Sequence, residues 1–289
     1  MKKYYLLPLF LLFLTISFSQ KKKNTNDGLK SSDLSGLKFR SVGPAFMSGR
    51  IADIAINPEN ENEWYVAVGS GGVWKTVNSG TTWKAITDDQ DFYSTGCITI
   101  DPHNSSKIWL GTGENVGGRH VGIGHGVFVS DNGGKSWKSM GLKSSEHISK
   151  IIVSPKDPNI VFVASQGPLW SSGGERGLYR TDNGGKTWKN VLSVNEWTGV
   201  TDIAIDHNNP NILYAATWQR HRNVASYMGG GPGTSIYKST DHGITWTEIK
   251  NGLPSSNLGK IGLAISPFDS SILYAAVETD RRNGAVYKT

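Results

Sequence analysis

Cysteine is nearly absent from this chain: Cys97 is the only one in 289 residues. A disulfide framework is therefore excluded, and a chain of this length must hold together by packing. Cys97 itself is expected as a small buried side chain. Helical patterning is also missing, because no stretch beyond the N-terminus repeats apolar residues every 3.6 positions. The body of the chain lacks an excess of either charge. Five lysines (Lys2, Lys3, Lys21, Lys22 and Lys23) and no acid fall in residues 1–23, which leaves 25 basic against 24 acidic residues elsewhere. A nucleic-acid partner would need a basic patch that this balance does not provide. The apolar run from Tyr4 to Ile16 is too short to span a bilayer. With Lys2 and Lys3 before it and Ser17-Phe-Ser19 after it, the run predicts a secretory signal over residues 1–19. The protein is then expected outside the cytoplasm, periplasmic or secreted, with a polar linker over residues 20–38.

What the chain does contain is repetition. Thr76-Val-Asn-Ser-Gly-Thr-Thr-Trp83 recurs as Ser130-Asp-Asn-Gly-Gly-Lys-Ser-Trp137, Thr181-Asp-Asn-Gly-Gly-Lys-Thr-Trp188 and Ser239-Thr-Asp-His-Gly-Ile-Thr-Trp246. The copies start 54, 51 and 58 residues apart, so the chain is a repeat array. Before each copy lie short apolar runs such as Ile54-Ala-Ile56 and Trp64-Tyr-Val-Ala67, cut by Asn, Pro and Gly, and a third run such as Val73-Trp74 touches the motif. This is a strand-and-turn signature. Each unit reads as four antiparallel strands, A to D, with the motif as the C–D turn. In that turn Asn78, Asn132, Asn183 and Asp241 are placed to accept backbone N–H groups. Gly80, Gly134, Gly185 and Gly243 supply a positive φ. Units of about 50 residues with four strands are blades of a β-propeller. A β-sandwich would not require such self-similarity. The expected fold is all-β over residues 39–289, with four full blades, three strands of a fifth and an incomplete ring, and the parent protein is expected to continue past Thr289.

The A–B turns are short and alike, whereas the B–C loops vary in length, which places the binding face at the B–C end. The blade-two loop, Gly111 to Gly126, carries Glu114, Arg119, His120 and His125 among seven glycines. Blade three offers Trp170, Glu175 and Arg176. Blade four offers Trp218, Arg220, His221, Arg222 and Tyr227. Blade five offers Glu278, Asp280, Arg281 and Arg282. Arginines and aromatics on one rim suit carboxylates, sugars or peptide backbones. The plainer alternative pairs Glu114 with Arg119 and Glu175 with Arg176 as surface ion pairs. A metal on Glu114, His120 and His125 lacks any fixed strand or helix spacing, and no cofactor is called for. The glycine runs lack the strand–turn–helix setting of a phosphate loop.

The repeated octet resembles the Asp-box, or BNR, motif of sialidases, xyloglucan-cleaving hydrolases, photosystem assembly factors and sortilin-type propellers. Gly111-Thr-Gly-Glu114, Gly167-Pro-Leu-Trp170 and the stretch from Trp218 to Gly233 resemble exported bacterial propellers of the sortilin-like or glycosyl-hydrolase-like kind. The xyloglucanase resemblance implies a catalytic Asp before a Gly-Gly-aromatic element in blade one. Gly69 stands at that place in Tyr65-Val-Ala-Val-Gly-Ser-Gly-Gly-Val-Trp74. The sialidase resemblance implies a carboxylate-gripping arginine at Arg50, in Arg50-Ile51-Ala52. The sortilin resemblance implies binding without chemistry. The expected function is a binding propeller that holds a peptide or glycan through Arg50, Glu114, Arg119, His120, Trp170, Arg176, Trp218, Arg220 and Arg222. The alternative is a glycoside hydrolase completed by further blades.

Overall fold

A computed structural model describes residues 30–37, 49–279 and 284–289. The signal-like segment and Asp280, Arg281 and Arg282 lie outside the described residues. The chain divides into two compact units, Met1–Met47 and Ser48–Thr289. In the first, the described residues form one 3₁₀ turn, Ser31–Leu34. The second is a set of antiparallel sheets, each taken in sequence order. Blade one is Ile51–Ile56, Trp64–Val68, Gly72–Thr76 and Lys84–Ala85. Blade two is Thr95–Asp101, Asn104–Thr112, Val127–Ser130 and Lys138–Ser139. Blade three is Ile148–Val153, Val161–Ser165, Gly177–Thr181 and Lys189–Leu192. Blade four is Thr198–Ile205, Leu213–Gln219, Ile236–Ser239 and Thr247–Ile249. Blade five contributes three strands, Leu258–Ile265, Leu273–Thr279 and Ala285–Lys288, and the ring is open.

The motif turns close through the hydrogen bonds their residue types permit. In blade three the Asn183 side-chain carbonyl accepts the Thr187 amide at 3.0 Å, and the Thr181 hydroxyl accepts the Gly185 amide at 3.0 Å. The same two bonds recur in the other three copies. Position four also takes a positive φ, even where it is Ser79 (53°) or His242 (61°). Two of the motif tryptophans reach backward: Trp137 donates to Ile86 O and Trp188 to Met140 O of the preceding blade, while Trp246 donates to Gly243 O in its own turn. Gly243 carries two constraints, a φ of 75° and a ring edge of Phe162 from the previous blade where a Cβ would stand.

The apolar core lies between blades rather than within them. The first residue of the A-strand run packs on the blade before it: Ile98, Ile151 and Ile203 are buried, while Ile54, which no strand precedes among the described residues, is 53% exposed. An aromatic in strand B faces the blade after it, and Tyr65, Trp109, Phe162 and Tyr214 are buried where Tyr274 is exposed. Cys97 sits in the core between blades two and three, and burial pushes its thiol pKa up. Around the centre, a side chain bridges every neighbouring pair of A strands. Asp53 accepts the Ile98 amide, Thr99 donates to Ile151 O, Ser149 to Val200 O, and Asp202 accepts the Leu263 amide.

Candidate functional site

The B–C loops and the D–A links meet at one end of the blades, and their contacts run between blades. At the junction of blades one and two, the Glu114 carboxylate is buried. One of its oxygens takes Arg50 Nη2 at 2.5 Å and Arg50 Nε at 3.1 Å, and the other takes the Gly122 amide at 2.8 Å. Glu114 is thus paired with Arg50, not with Arg119. The carboxylate also lies against Gly69, where a Cβ would collide with it. The place at which a blade-one acid is expected is therefore filled by an acid from blade two, with both its oxygens engaged. Arg50 is half-exposed, but its guanidinium is committed to Glu114.

Beyond Glu114 the blade-two loop crosses toward blades four and five. Three consecutive carbonyls of this segment each receive a cation. Asn115 O accepts Lys260 Nζ at 2.7 Å, Val116 O accepts Arg220 Nη1 at 2.9 Å, and Gly117 O accepts Arg222 Nη2 at 3.0 Å. Arg220 is fully buried and also donates to Gly167 O of blade three. Its guanidinium and the Lys260 ammonium lie over the Trp218 ring, 5.2 and 5.5 Å from the centroid. Trp218 is buried and donates its indole N–H to Gly229 O. Among the described residues no carboxylate pairs with Arg220, Arg222 or Lys260. Burial and the neighbouring Arg176 bring the Arg220 pKa down to about 9, and burial with Arg220 nearby lowers that of Lys260. Below the crossing segment a polar cavity of about 390 Å³ is lined by Asp53, Asn115, Ser149, Lys150, Asp202 and Lys260.

Arg176 is a loop organiser. Its side chain donates to five carbonyls, those of Gln166, Pro168, Ser171, Gly173 and Trp197. Glu175 does not pair with it and instead accepts the Ser144 amide and hydroxyl. As placed, Arg176, Trp218 and Arg220 position loops and present no surface to a ligand. Trp170 is 45% exposed, and Arg119 and His120 are exposed, with Arg119 making one long bond to Val224 O at 3.5 Å. Tyr93 (67%) and Tyr227 (40%) add further open rings on the same loops and links. Among the described residues no three His, Cys, Asp or Glu converge as a metal site.

Glu146 is the residue that the motif pattern does not single out. It lies in the link between blades two and three and holds a φ of 57° and ψ of −36°, unusual for a non-glycine residue. Its carbonyl takes the Gly124 amide. Its side chain is partly exposed and accepts the Leu169 amide, and burial raises its pKa despite nearby Arg176 and Arg220. His147 beside it is buried with Nδ1 unpartnered. Burial first, then Arg220 and Arg176, bring its pKa down to about 3. The available clue to Glu146 was its place in a D–A link on the loop-bearing end.

Comparison with known proteins agrees with the repeat pattern. Residues 125–253 match the Sortilin-Vps10 family, described as sortilin, neurotensin receptor 3. The chain is 28% identical over 258 residues to a xyloglucanase of Hypocrea jecorina, covering 76% of this chain and 28% of that protein. It is 24% identical over 259 residues to xyloglucanase Xgh74A of Acetivibrio thermocellus, again covering 76% and 28%. The chain thus spans just over a quarter of the length of these relatives. Among solved structures it is similar to an ancestral GH74 enzyme, with TM-score 0.62, 19% identity and coverage of 83% of this chain and 30% of that one. It is also similar to the GH74 xyloglucanase of Xanthomonas campestris, with TM-score 0.58, 15% identity and coverage of 81% and 36%. These likenesses establish the propeller fold and bear out the resemblance to sortilin-like and xyloglucanase-like propellers.

Proposed function

We propose that these blades form the ligand-holding face of an exported binding propeller, on which a peptide or glycan lies across the B–C loops without being cleaved. The observation that carries this reading is the state of the carboxylates. Glycoside cleavage needs two carboxyl groups about 5–9.5 Å apart across a shared space, one of them able to donate a proton. Position 69 is glycine, Glu114 is consumed by Arg50 and Gly122, and Glu175 by Ser144. Two partly open carboxyls have a raised pKa: Glu146, and Asp202, which is held by the Leu263 amide beside the polar cavity. Trp170, Tyr93 and Tyr227 offer flat apolar faces for a bound chain. Export rests on the N-terminal pattern of residues 1–19 and is tested by locating the mature protein in cell fractions.

A second reading is favoured by Glu146 and by the xyloglucanase relatives. A carboxyl with raised proton affinity suits a general acid, and cleavage would also require a second carboxylate across the bound sugar. Incubation with xyloglucan, β-glucans, sialosides and peptides decides between the two, with sugar release and ligand retention both measured. The expected result is retention of intact ligand. Sugar release that disappears in Glu146→Gln would establish the hydrolase.

A further inference from the structure

The blade-two loop is held by bonds of an unusual kind. Between Glu114 and Gly122, joined at the loop base by the Glu114 amide to Gly122 O and the Gly122 amide to the Glu114 carboxylate, residues 115–121 join no apolar core cluster. The segment is fastened through its main chain, by the Lys260, Arg220 and Arg222 contacts to Asn115 O, Val116 O and Gly117 O, with a longer bond from Gln166 Nε2 to Asn115 O. The one side-chain bond of these three residues is from Asn115 to Gly96 O. Tyr227 packs its hydroxyl against Gly117, where a Cβ would collide, while Arg222 lies over the Tyr227 ring at 4.4 Å from its centroid. Partners that arrive from 104, 105 and 145 residues away thus read three successive peptide carbonyls and almost nothing of the side chains.

Two further facts mark these cations as a ligand-reading set. A desolvated guanidinium or ammonium is ordinarily satisfied by a carboxylate, yet among the described residues these side chains hydrogen-bond to neutral carbonyls and make no ion pair. The Nε–H groups of both Arg220 and Arg222 are buried without any acceptor, so the set has more donors than the loop uses. One cation per successive carbonyl fits a polypeptide main chain, whose acceptors recur at every residue. A glycan offers no comparable row of planar, strongly accepting carbonyls.

We propose that Arg220, Arg222 and Lys260, with Trp218 and Tyr227, form a main-chain-reading site for a peptide segment, and that Asn115–Gly117 occupies this site in the free protein as a built-in stand-in. The inference rests on the binding reading of the face and adds the ligand class and its internal competitor. A peptide that displaces the segment supplies the same carbonyls and can add acceptors for the two idle Nε–H groups. The glycines at 113, 117 and 118 give the displaced segment the backbone freedom to swing away. Self-occupancy lowers apparent affinity by the fraction of molecules that are open.

The test uses a fluorescein-labelled synthetic peptide with the sequence of residues 115–121, titrated by fluorescence anisotropy into the 289-residue chain and two variants. In one, residues 115–121 are replaced by Gly-Gly. In the other, Gly117→Val sets a side chain against Tyr227. The shortened variant should bind the peptide at least about tenfold more tightly than the intact chain, and Gly117→Val about threefold more tightly. Adding Arg222→Met and Lys260→Met to the shortened variant should abolish binding. If shortening unfolds the chain, as read by far-ultraviolet circular dichroism, Gly117→Val decides alone. Equal affinity in the intact and folded variant chains would overturn the proposal, as would binding that survives loss of both cations. Displacement of the probe by xyloglucan oligosaccharides would overturn the peptide class. Sugar release in the earlier panel sinks the binding reading, whereas ligand retention indifferent to the loop variants sinks only this inference.

Discussion

His147 is held far from its free protonation behaviour. It is buried between blades two and three, with no acceptor or donor for Nδ1. Its pKa of about 3, against 6.5 for an unburied imidazole, means that the folded protein keeps it neutral at mild acidity while the unfolded chain takes up a proton. Because the folded value is the lower one, its contribution to stability is complete above 6.5 and is lost as pH falls toward 3, at up to ~1.4 kcal/mol per pH unit. Glu146 acts with the opposite sign, since a raised carboxyl pKa removes stability as pH rises through it. Comparing His147→Asn with the parent isolates the imidazole, because both keep Glu146. Urea unfolding between pH 7 and pH 4 should show a shallower loss of stability in the variant. Parallel curves would show that His147 is not held neutral.

At the scale of the element, the motif turn explains why the fold was legible. A hydroxyl at position one, an amide or carboxylate at position three and glycine at position five are each required by a specific bond or φ, so the turn must be written into the sequence at every copy. Thr181→Val tests the first of these with little change in shape. It leaves the buried Gly185 amide without its acceptor and should cost about 1–3 kcal/mol of stability. A loss below ~0.5 kcal/mol in denaturant titration would mean that the hydroxyl is dispensable. The site was less legible for a related reason. Arg50, Glu114, Arg220 and Lys260 find their partners in other blades, and no local pattern specifies which charge meets which carbonyl. Pairing Glu114 with Arg119 was the sensible local choice, and it failed because Arg50 from blade one arrives at the same carboxylate. Trp218 and Arg220 carry the residue types of a binding rim, but in the free protein they lie buried beneath the loops.

At the scale of the whole molecule, stability resides in the surfaces between blades, because each sheet is thin and its apolar side chains point to its neighbours. The repeated first position of the A-strand run makes this measurable. Ile203 is 2% exposed and packs in the cluster between blades three and four, whereas Ile54 occupies the same place in blade one at 53% exposure. Truncating a buried isoleucine removes its transfer free energy and leaves a cavity, so Ile203→Ala should cost about 2–5 kcal/mol. Ile54→Ala in the same 289-residue chain should cost less than ~0.5 kcal/mol, since among the described residues no strand packs on its face. In any longer form whose further blade docks on blade one, the two costs should converge, because Ile54 would then be packed as Ile203 is. Denaturant midpoints of the two variants in this chain decide the point. Equal losses here would mean that Ile54 is already covered and that the open face of blade one is not open in solution.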